Sequence, residues 1–448
     1  MKKSIIAVVI ILIIIAVLPI AGNQFIKSNI DDKVAQLQSY GIEVKEDKSI
    51  SSYLNTSRHF EFYLKDSTKF INYLNKYSEN QIPPYVNAII NGLVIGADIK
   101  YSNLPFAKSH SIEMYPLELS PEIVNSLKKN NVDFYNYLDG FLQSKGILYH
   151  INYNLINEKF DGYIKDINMS YTLKNQAKLN LVFEKVTFKG KGELLAPSRL
   201  KSKAKKVTLS VVEANERVEM YLNGFSSSSN FESQNTYVSS ADIKNMQLVM
   251  VGIKDDINMT VDNVRLNATS NDQGETTEVS SKTSVTFMSV ASHLFSVEMK
   301  NFNMDVAING IDKVLFEKLR TVKDPQQVEQ TTMELFSKGL AFNIADFSVE
   351  KISTDKLGDL GGFAIKSDAK LKADPMLSQK VKQNPMSIIS NIELKTKLLL
   401  SKKMFESAMK SNPVASRVRS YAKEQNDDYI FDVSFIDTKA TINGQALN

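Results

Sequence analysis

Cysteine is absent from the sequence, and histidine occurs only four times in 448 residues. Without cysteine the chain has no disulfide bonds, zinc–thiolate sites, iron–sulfur clusters or cysteine nucleophile. An exported domain of this size then depends on its core and its sheets for stability. That composition is more typical of bacterial envelope proteins than of eukaryotic secreted ones.

The histidines also lack the spacing of metal ligands. No two of them lie four residues apart on a helix, and none has a carboxylate at a ligand spacing. We therefore predict structural or surface roles for all four, and no metal site. They are His59, His110, His150 and His293.

Signatures of catalysis are missing as well. No phosphate-loop lysine follows Gly358, Gly361 and Gly362, and residues 226–229 are serines without a nucleophile-elbow pattern. No carboxylate pair has a spacing that marks a glycosidase. We predict no catalytic residue, no cofactor and no enzyme activity, although carboxylates that are distant in sequence would escape such a search.

An excess of one charge is also missing. The formal net charge is +4 and the pI is about 8.7, whereas nucleic-acid binding usually needs a concentrated basic face. We therefore predict no nucleic-acid partner. Hydrophobic residues make up 43% of the chain and charged residues 23%, which is typical of a folded globular protein with one large or two to three ordinary domains.

One long hydrophobic run stands at the N-terminus. It extends over residues 4–26, and its centre, residues 5–18, is almost entirely Ile, Val, Leu and Ala. About 20 apolar residues span a bilayer core, so we predict a transmembrane anchor that includes Ile5, Leu12 and Leu18. A cleaved signal peptide is the alternative.

The flanks of this run favour an uncleaved anchor and give its orientation. Pro19-Ile20-Ala21 lacks a small-x-small cleavage pattern. Lys2 and Lys3 precede the run, and positive residues stay on the cytoplasmic side. We predict a single-pass protein of the bacterial inner membrane whose C-terminal body lies in the periplasm.

The rest of the chain is rich in alternating patterns. Ile257, Met259 and Val261 alternate with polar residues, and Val264 then continues the alternation in the opposite phase. The same change of phase occurs between Met299 and the residues that follow it. Because the side-chain period of a strand is two, each change indicates a turn or a β-bulge. Repeated changes indicate a long antiparallel sheet that bends.

Helical patterns are fewer. They cover residues 27–40, 67–77, 120–141 (with a break near Asn130), 311–322, 324–339 and 402–423. Two polar segments, residues 226–230 and 270–281, are interpreted as surface loops.

We predict an α+β, β-rich fold with an N-terminal transmembrane helix and a long, curved, mostly antiparallel sheet with a few packed helices. The predicted organisation is a cytoplasmic stub and anchor (1–26), a membrane-proximal mixed α/β segment (27–146), a β-rich body (147–309), and C-terminal helices and strands that continue the same sheet (310–448).

The C-terminal stretch resembles a known family. A polar turn leads into an alternating strand, residues 429–435, and the chain closes on Ala440-Thr441-Ile442-Asn443-Gly444. This resembles the end of the YdgA-like family, inner-membrane-anchored envelope proteins of unknown function, which usually carry Lys and Pro where this chain has Gln445 and Ala446. More distantly, the strand-rich body is similar to AsmA-like envelope proteins, whose long grooved sheets are linked to lipid traffic. The resemblance implies a location and an architecture, not a reaction.

Two features of the body point to a binding role. Arg199, Lys201, Lys203 and Lys205 share one face if the segment is extended, and such a stripe suits anionic lipid headgroups. A solvated sheet face is the alternative for this stripe. Apolar residues also recur on every strand, with few helices to cover them. Such a face accommodates acyl chains unless it closes into an ordinary core.

We therefore expect a non-enzymatic, membrane-anchored envelope protein that binds or conducts lipid, or another apolar ligand, in a β-groove. The alternative is a scaffold or assembly factor for envelope machinery such as a motility or secretion apparatus. The expected partners are the membrane, a lipid ligand, and envelope proteins or further copies of the chain. A continuous apolar groove favours lipid, and a closed core with a flat apolar patch favours a protein partner.

Overall fold

The computed structural model describes residues 30–75, 82, 85–104, 109–174, 176–192, 197–233, 235–252, 256–322, 324–411 and 418–447. The predicted β-rich class is confirmed, since strands predominate and form antiparallel ladders accompanied by a few helices. The predicted anchor residues Ile5, Leu12 and Leu18 lie outside the described residues. Among the described residues no helix combines the length and the apolar character that crossing a bilayer requires.

The α-helices of the described residues are α1 (Ile30–Ser39), α2 (Ser67–Leu74), α3 (Tyr85–Ile90), α4 (Pro121–Asn130), α5 (Val132–Gln143), α6 (Lys313–Thr321), α7 (Pro325–Ser337), α8 (Leu377–Gln383) and α9 (Lys402–Ser411). Two 3-10 helices cover Pro385–Asn391 and Arg419–Tyr421.

The first strands are short: β1 (Ile42–Ser51), β2 (Asn55–Leu64), β3 (Val94–Ser102), β4 (Ser109–Glu118), β5 (Tyr149–Asn154), β6 (Lys159–Ile164), β7 (Ile167–Thr172), β8 (Lys178–Glu184) and β9 (Val186–Gly192). Longer strands follow: β10 (Pro197–Glu213), β11 (Glu216–Phe231), β12 (Tyr237–Val251), β13 (Asp256–Gln273), β14 (Thr276–Ser292), β15 (Ser296–Asp312), β16 (Leu340–Thr354), β17 (Gly358–Leu371) and β18 (Ile392–Ser401). The last strands are β19 (Lys423–Gln425), β20 (Asp428–Ile436), β21 (Lys439–Ile442) and β22 (Gln445–Ala446).

The chain divides into two compact units. Unit 1 comprises Met1–Ser228 and Gln247–Asp255, and unit 2 comprises Ser229–Met246 and Asp256–Asn448. The segment boundaries expected from the sequence near residues 146 and 309 stay predictions.

Unit 1 contains an antiparallel sheet in the order β1-β2-β3-β4-β5-β6-β9-β10-β8-β7. Side chains on one face of this sheet join residues of α1 to α5 in a single buried cluster. Phe60, Met114 and Leu179 from the strands and Phe70 and Leu138 from the helices are almost inaccessible to solvent. The sheet of unit 1 therefore closes over an ordinary core.

Local capping explains where these helices begin. Asp66 accepts a hydrogen bond from the backbone N–H of Lys69 at the start of α2. Asn131 accepts one from the backbone N–H of Phe134, so it ends α4 and starts α5. The predicted break near Asn130 is confirmed by this capping.

Unit 2 contains a second antiparallel ladder, in the order β13-β14-β15-β16-β17-β18-β20-β21-β22, with β19 also paired to β20. Helices α6 and α7 interrupt the chain between β15 and β16, where Asp312 and Asp324 accept capping hydrogen bonds. α9 follows β18.

Three local expectations are wrong. Residues 226–230 continue β11, and residues 270–281 form the ends of β13 and β14, joined at Gly274 and Glu275. Serine and threonine remain in the strand there because their hydroxyls bond across it, as between Thr269 and Ser280 at 2.6 Å. The helix predicted as far as Lys423 is also wrong at its end, where β19 begins.

The changes of phase fall inside continuous strands. β13 runs through Asn263, which has φ of +52°, and β15 runs through Asn301, which has φ of +50°. Asparagine tolerates this left-handed conformation better than other residues with a Cβ. A backbone irregularity inside the strand, rather than a turn, is therefore the correct interpretation.

Candidate functional site

The sheet of unit 2 carries a continuous apolar face. Directly opposed residues of neighbouring strands point to the same side of a sheet. The pairing registers of seven strands from β13 to β20 therefore arrange the residues of this face in rows that run across the strands. One row contains Val264, Val285, Phe302, Val349, Phe363, Leu400 and Tyr429. The next contains Leu266, Thr283, Met304, Phe347, Ile365, Leu398 and Phe431. Beyond one intervening row, which includes Ser281, Ser367 and Thr396, lies the row of Ser270, Val279, Ile308, Phe342, Ala369, Leu394 and Phe435.

From β14 to β17 the opposite face of the same strands carries polar side chains. Lys282 on β14 lies 3.3 Å from the carboxylate of Asp305 on β15. Asn343 on β16 donates a hydrogen bond of 2.6 Å to Asp368 on β17. From β14 to β17 polar side chains thus lie on the face opposite the apolar rows.

Coverage of the apolar face differs along the sheet. At its C-terminal edge Phe405 of α9 packs on Tyr429 and Phe431, with ring centroids 5.0 and 5.6 Å apart, and all three are buried. On β15 and β16, Phe302 and Phe347 remain half-buried. The two rings contact each other edge to face at 5.8 Å.

Such a face can hold apolar ligands through the burial of apolar surface alone, without a chemical reaction. Transfer of apolar surface from water stabilises by about 25 cal/mol per Å², or about 0.8 kcal/mol per CH₂ group. The three rows contain no charged side chain. They present only apolar and hydroxyl side chains to a ligand.

The predicted basic stripe lies on β10 in unit 1. Arg199, Lys201, Lys203 and Lys205 belong to this one strand and are exposed, while the residues between them are more buried. The extended conformation that the stripe requires is therefore present. Lys205 forms an ion pair with Glu184, whereas the predicted contact with anionic headgroups stays a prediction.

Neighbouring strands add to this charge. Arg199 opposes Lys191 on β9, and Lys201 opposes Lys189. On the far side of β9, Lys189 opposes Asp161 of β6. Like charges directly opposite each other destabilise a sheet, so a bound anion would relieve this arrangement.

A second feature, which the sequence did not reveal, is a polar row on the outer face of the unit 1 sheet. The registers place Lys48, His59, Asp98, Glu113 and His150 directly opposite one another across β1 to β5. The carboxylate of Asp98 accepts a hydrogen bond of 2.6 Å from Nδ1 of His59.

Two further groups hold the same carboxylate. Tyr115 donates its hydroxyl to Oδ2 of Asp98 at 3.0 Å, and Nζ of Lys145 lies 2.5 Å from that oxygen. The same ammonium group lies 4.1 Å from the centre of the Tyr115 ring. Gly96 lies beneath this ring and leaves the space for it.

These contacts shift the pKa values of the cluster. Burial alone would raise the pKa of Asp98, but its bonds with Lys145, His59 and Tyr115 outweigh burial and hold the pKa below its ordinary value. Burial and the neighbouring Asp98 charge raise the pKa of Tyr115. Asp98 is thus a stable anion at neutral pH, and Tyr115 stays a donor.

Sequence spacing does not reveal this cluster, because its members come from separate strands. The structural or surface role predicted for His59 stays a prediction, and its ring nitrogens lie 2.6 Å from Asp98 and 3.8 Å from Glu61. The only local sign of the cluster in the sequence is that His59 and Glu61 are polar residues two positions apart. Polar residues at alternate positions occur on every exposed strand face, so they do not mark a site. Comparison of the chain with family models, curated proteins and solved structures finds no match.

Proposed function

We propose that this chain binds lipid acyl chains along the apolar face of unit 2. The continuity of that face over seven strands, with Phe302, Met304, Phe347 and Ile365 half-buried at its middle, carries the proposal. In contrast, the core of unit 1 is closed by helices. The predicted curvature of the sheet would turn the apolar face into a groove.

The composition of the face favours lipid over a protein partner. The hot spots that dominate protein interfaces are enriched in Trp, Tyr and Arg, whereas Leu and Val are under-represented there. The sequence contains no tryptophan, and the tyrosine of these rows, Tyr429, is already buried beneath Phe405. Phe, Ile, Val, Leu and Met offer no polar recognition, which suits a flexible acyl chain.

The remaining predictions fit this proposal. An N-terminal anchor would hold the chain at the bacterial inner membrane with its body in the periplasm, close to a source of lipid. The stripe of Arg199, Lys201, Lys203 and Lys205 would contact anionic headgroups. The resemblance to the YdgA-like and AsmA-like proteins stays part of the proposal. No catalytic step is included.

Photo-crosslinking of neighbouring residues tests the proposal. The full chain, produced in bacteria with a benzophenone amino acid at Phe302 or Phe347, is irradiated in cells and analysed for lipid adducts by mass spectrometry. The control carries the probe at Asn303 or Ser348, which are adjacent in sequence and lie on the polar face. We expect lipid adducts from the two apolar positions alone.

Other adducts would change the conclusion. Lipid on both faces at equal yield, or on neither face, contradicts the proposal. Protein adducts from Phe302 and Phe347 would instead support the alternative function, a scaffold for envelope machinery.

A further inference from the structure

We infer that Glu46, His59 and Glu61 on the outer face of unit 1 form a binding site for a divalent transition-metal ion, with zinc as the best fit. Their ligand atoms all lie within 4.8 Å of one another. This site is separate from the apolar face, and the proposed lipid function does not require it.

A bulge in β1 brings the two carboxylates together. The register places Val44 opposite Phe62 and then Glu46 opposite Glu61, so Lys45 is the extra residue. Without this bulge Lys45 would oppose Glu61, and Glu46 would point to the other face. Bulges often re-aim a side chain in this way.

Asp98 orients the histidine for metal binding. Its carboxylate accepts the hydrogen bond from Nδ1 of His59 at 2.6 Å, which leaves the lone pair on Nε2. That nitrogen lies 3.8 Å from Oε1 of Glu61. A carboxylate that holds the second nitrogen is the usual partner of a metal-bound histidine, because it fixes the tautomer and increases the basicity of the ring.

The carboxylate of Asp98 is itself held in place, by Tyr115 and Lys145. Glu46, Glu61 and His59 are each about a quarter to a third exposed, at 26%, 30% and 30%. An ion can therefore reach them from solvent. The groups that orient His59 are therefore in place, and the three ligand side chains are accessible to solvent.

The donor set identifies the class of ion. One imidazole and two carboxylates suit zinc and its neighbours, whereas magnesium and calcium prefer oxygen alone. Zinc takes bonds of about 2.0–2.2 Å, so the two glutamates must move inward by roughly 1 Å. Three protein ligands leave a fourth position for water.

Lys48 competes with a metal ion for the carboxylate of Glu46. Its ammonium group forms an ion pair with Oε1. A metal ion must displace this lysine, so removal of the ammonium group should strengthen metal binding. A purely structural role for the cluster gives no such increase.

Metal titration of the full chain tests this inference. The protein carries a streptavidin-binding tag rather than a histidine tag and is first treated with EDTA. Calorimetry with zinc should show one site, cobalt should give visible absorption bands, and magnesium should bind far more weakly. His59→Gln should abolish the cobalt bands, and Asp98→Asn should weaken zinc binding about 10–100-fold.

Matched variants distinguish the loss of a metal ligand from the loss of the folded structure. His150→Gln alters the same outer face without touching the three ligands, and it should leave zinc affinity unchanged. Lys48→Ala should increase affinity at least several-fold. Absence of zinc and cobalt binding in the unmodified chain overturns the inference, as does binding that survives in a folded His59→Gln protein. No increase in Lys48→Ala also overturns it.

Discussion

Gly96 and Tyr115 oppose each other on β3 and β4, and the ring of Tyr115 lies over the Cα atom of Gly96. A Cβ atom at position 96 would fall inside the van der Waals radius of this ring. The glycine thus allows the tyrosine to cross β3 and place its hydroxyl on Asp98. The missing side chain at position 96 therefore permits the contact between Tyr115 and Asp98.

Replacement of Gly96 by alanine should displace the tyrosine and destabilise unit 1. Because the added methyl group overlaps the ring, we expect a loss of about 1–3 kcal/mol in the free energy of unfolding, measured with urea. Gly140→Ala is the control: no atom lies within 4 Å of its added Cβ, and alanine in a helix should stabilise by up to about 1 kcal/mol. Equal effects at both positions would contradict this account.

Single tryptophans should report lipid on the apolar face, because the chain contains none of its own. We predict that Phe347→Trp fluorescence is quenched by phospholipids with brominated acyl chains and shifts to shorter wavelength. Ser348→Trp, one residue away on the polar face, should show neither effect. Equal quenching of the two variants would rule out selective binding by one face.

Truncation of Phe405 should destabilise the C-terminal edge of unit 2. Phe405 is 5% exposed and packs on Tyr429 and Phe431. We expect Phe405→Ala to cost about 3–5 kcal/mol and to speed hydrogen exchange in β18 and β20. Phe302→Ala should cost less, because this ring is more exposed than Phe405. A similar loss of unfolding free energy for the two variants would mean that Phe302 is as well covered as Phe405.

Much of the secondary structure was predictable, because local patterns determine it. Pro121 after Ser120 and Pro325 after Asp324 marked real helix starts. The opposite phases on either side of Asn263 and Asn301 marked real irregularities. Serine-rich strands resemble loops in sequence, since serine is common in turns and its cross-strand bonds cannot be seen in one segment.

The sites were predictable to different degrees. The stripe from Arg199 to Lys205 needed only the period of a strand, so its extended form was foreseeable. The cluster around His59 was not, because it depends on a bulge at Lys45 and on a long-range pairing with Asp98. Sequence spacing carries no information about either.

The ion pair between Asp47 and Arg58 gives a prediction about pH. Both carboxylate oxygens of Asp47 accept hydrogen bonds from the guanidinium of Arg58, at 2.9 and 2.7 Å. These bonds hold the pKa of Asp47 below its ordinary value, mainly through the hydrogen bond and in spite of partial burial. The folded state therefore binds a proton at this carboxyl less readily than the unfolded state does.

The sign of the effect follows from this difference. The contribution of the pair to stability is fully present above the unfolded pKa, about 3.9, and it is lost as the pH falls through the lower folded value. Asp47→Asn should thus cost up to about 1 kcal/mol at pH 7, since the pair is partly exposed, and progressively less as the pH falls below the unfolded pKa. Urea unfolding of both proteins between pH 7 and pH 3 measures the difference.

An Arg58→Gln background provides the control for this titration. Without the guanidinium, Asp47→Asn should produce no difference that depends on pH between pH 3 and pH 5. Asp31 also contacts Arg58, at 2.7 Å, so only the part of the effect that requires both Asp47 and Arg58 belongs to their pair. A cost of Asp47→Asn that increases as the pH falls would reverse the sign and contradict the lowered pKa.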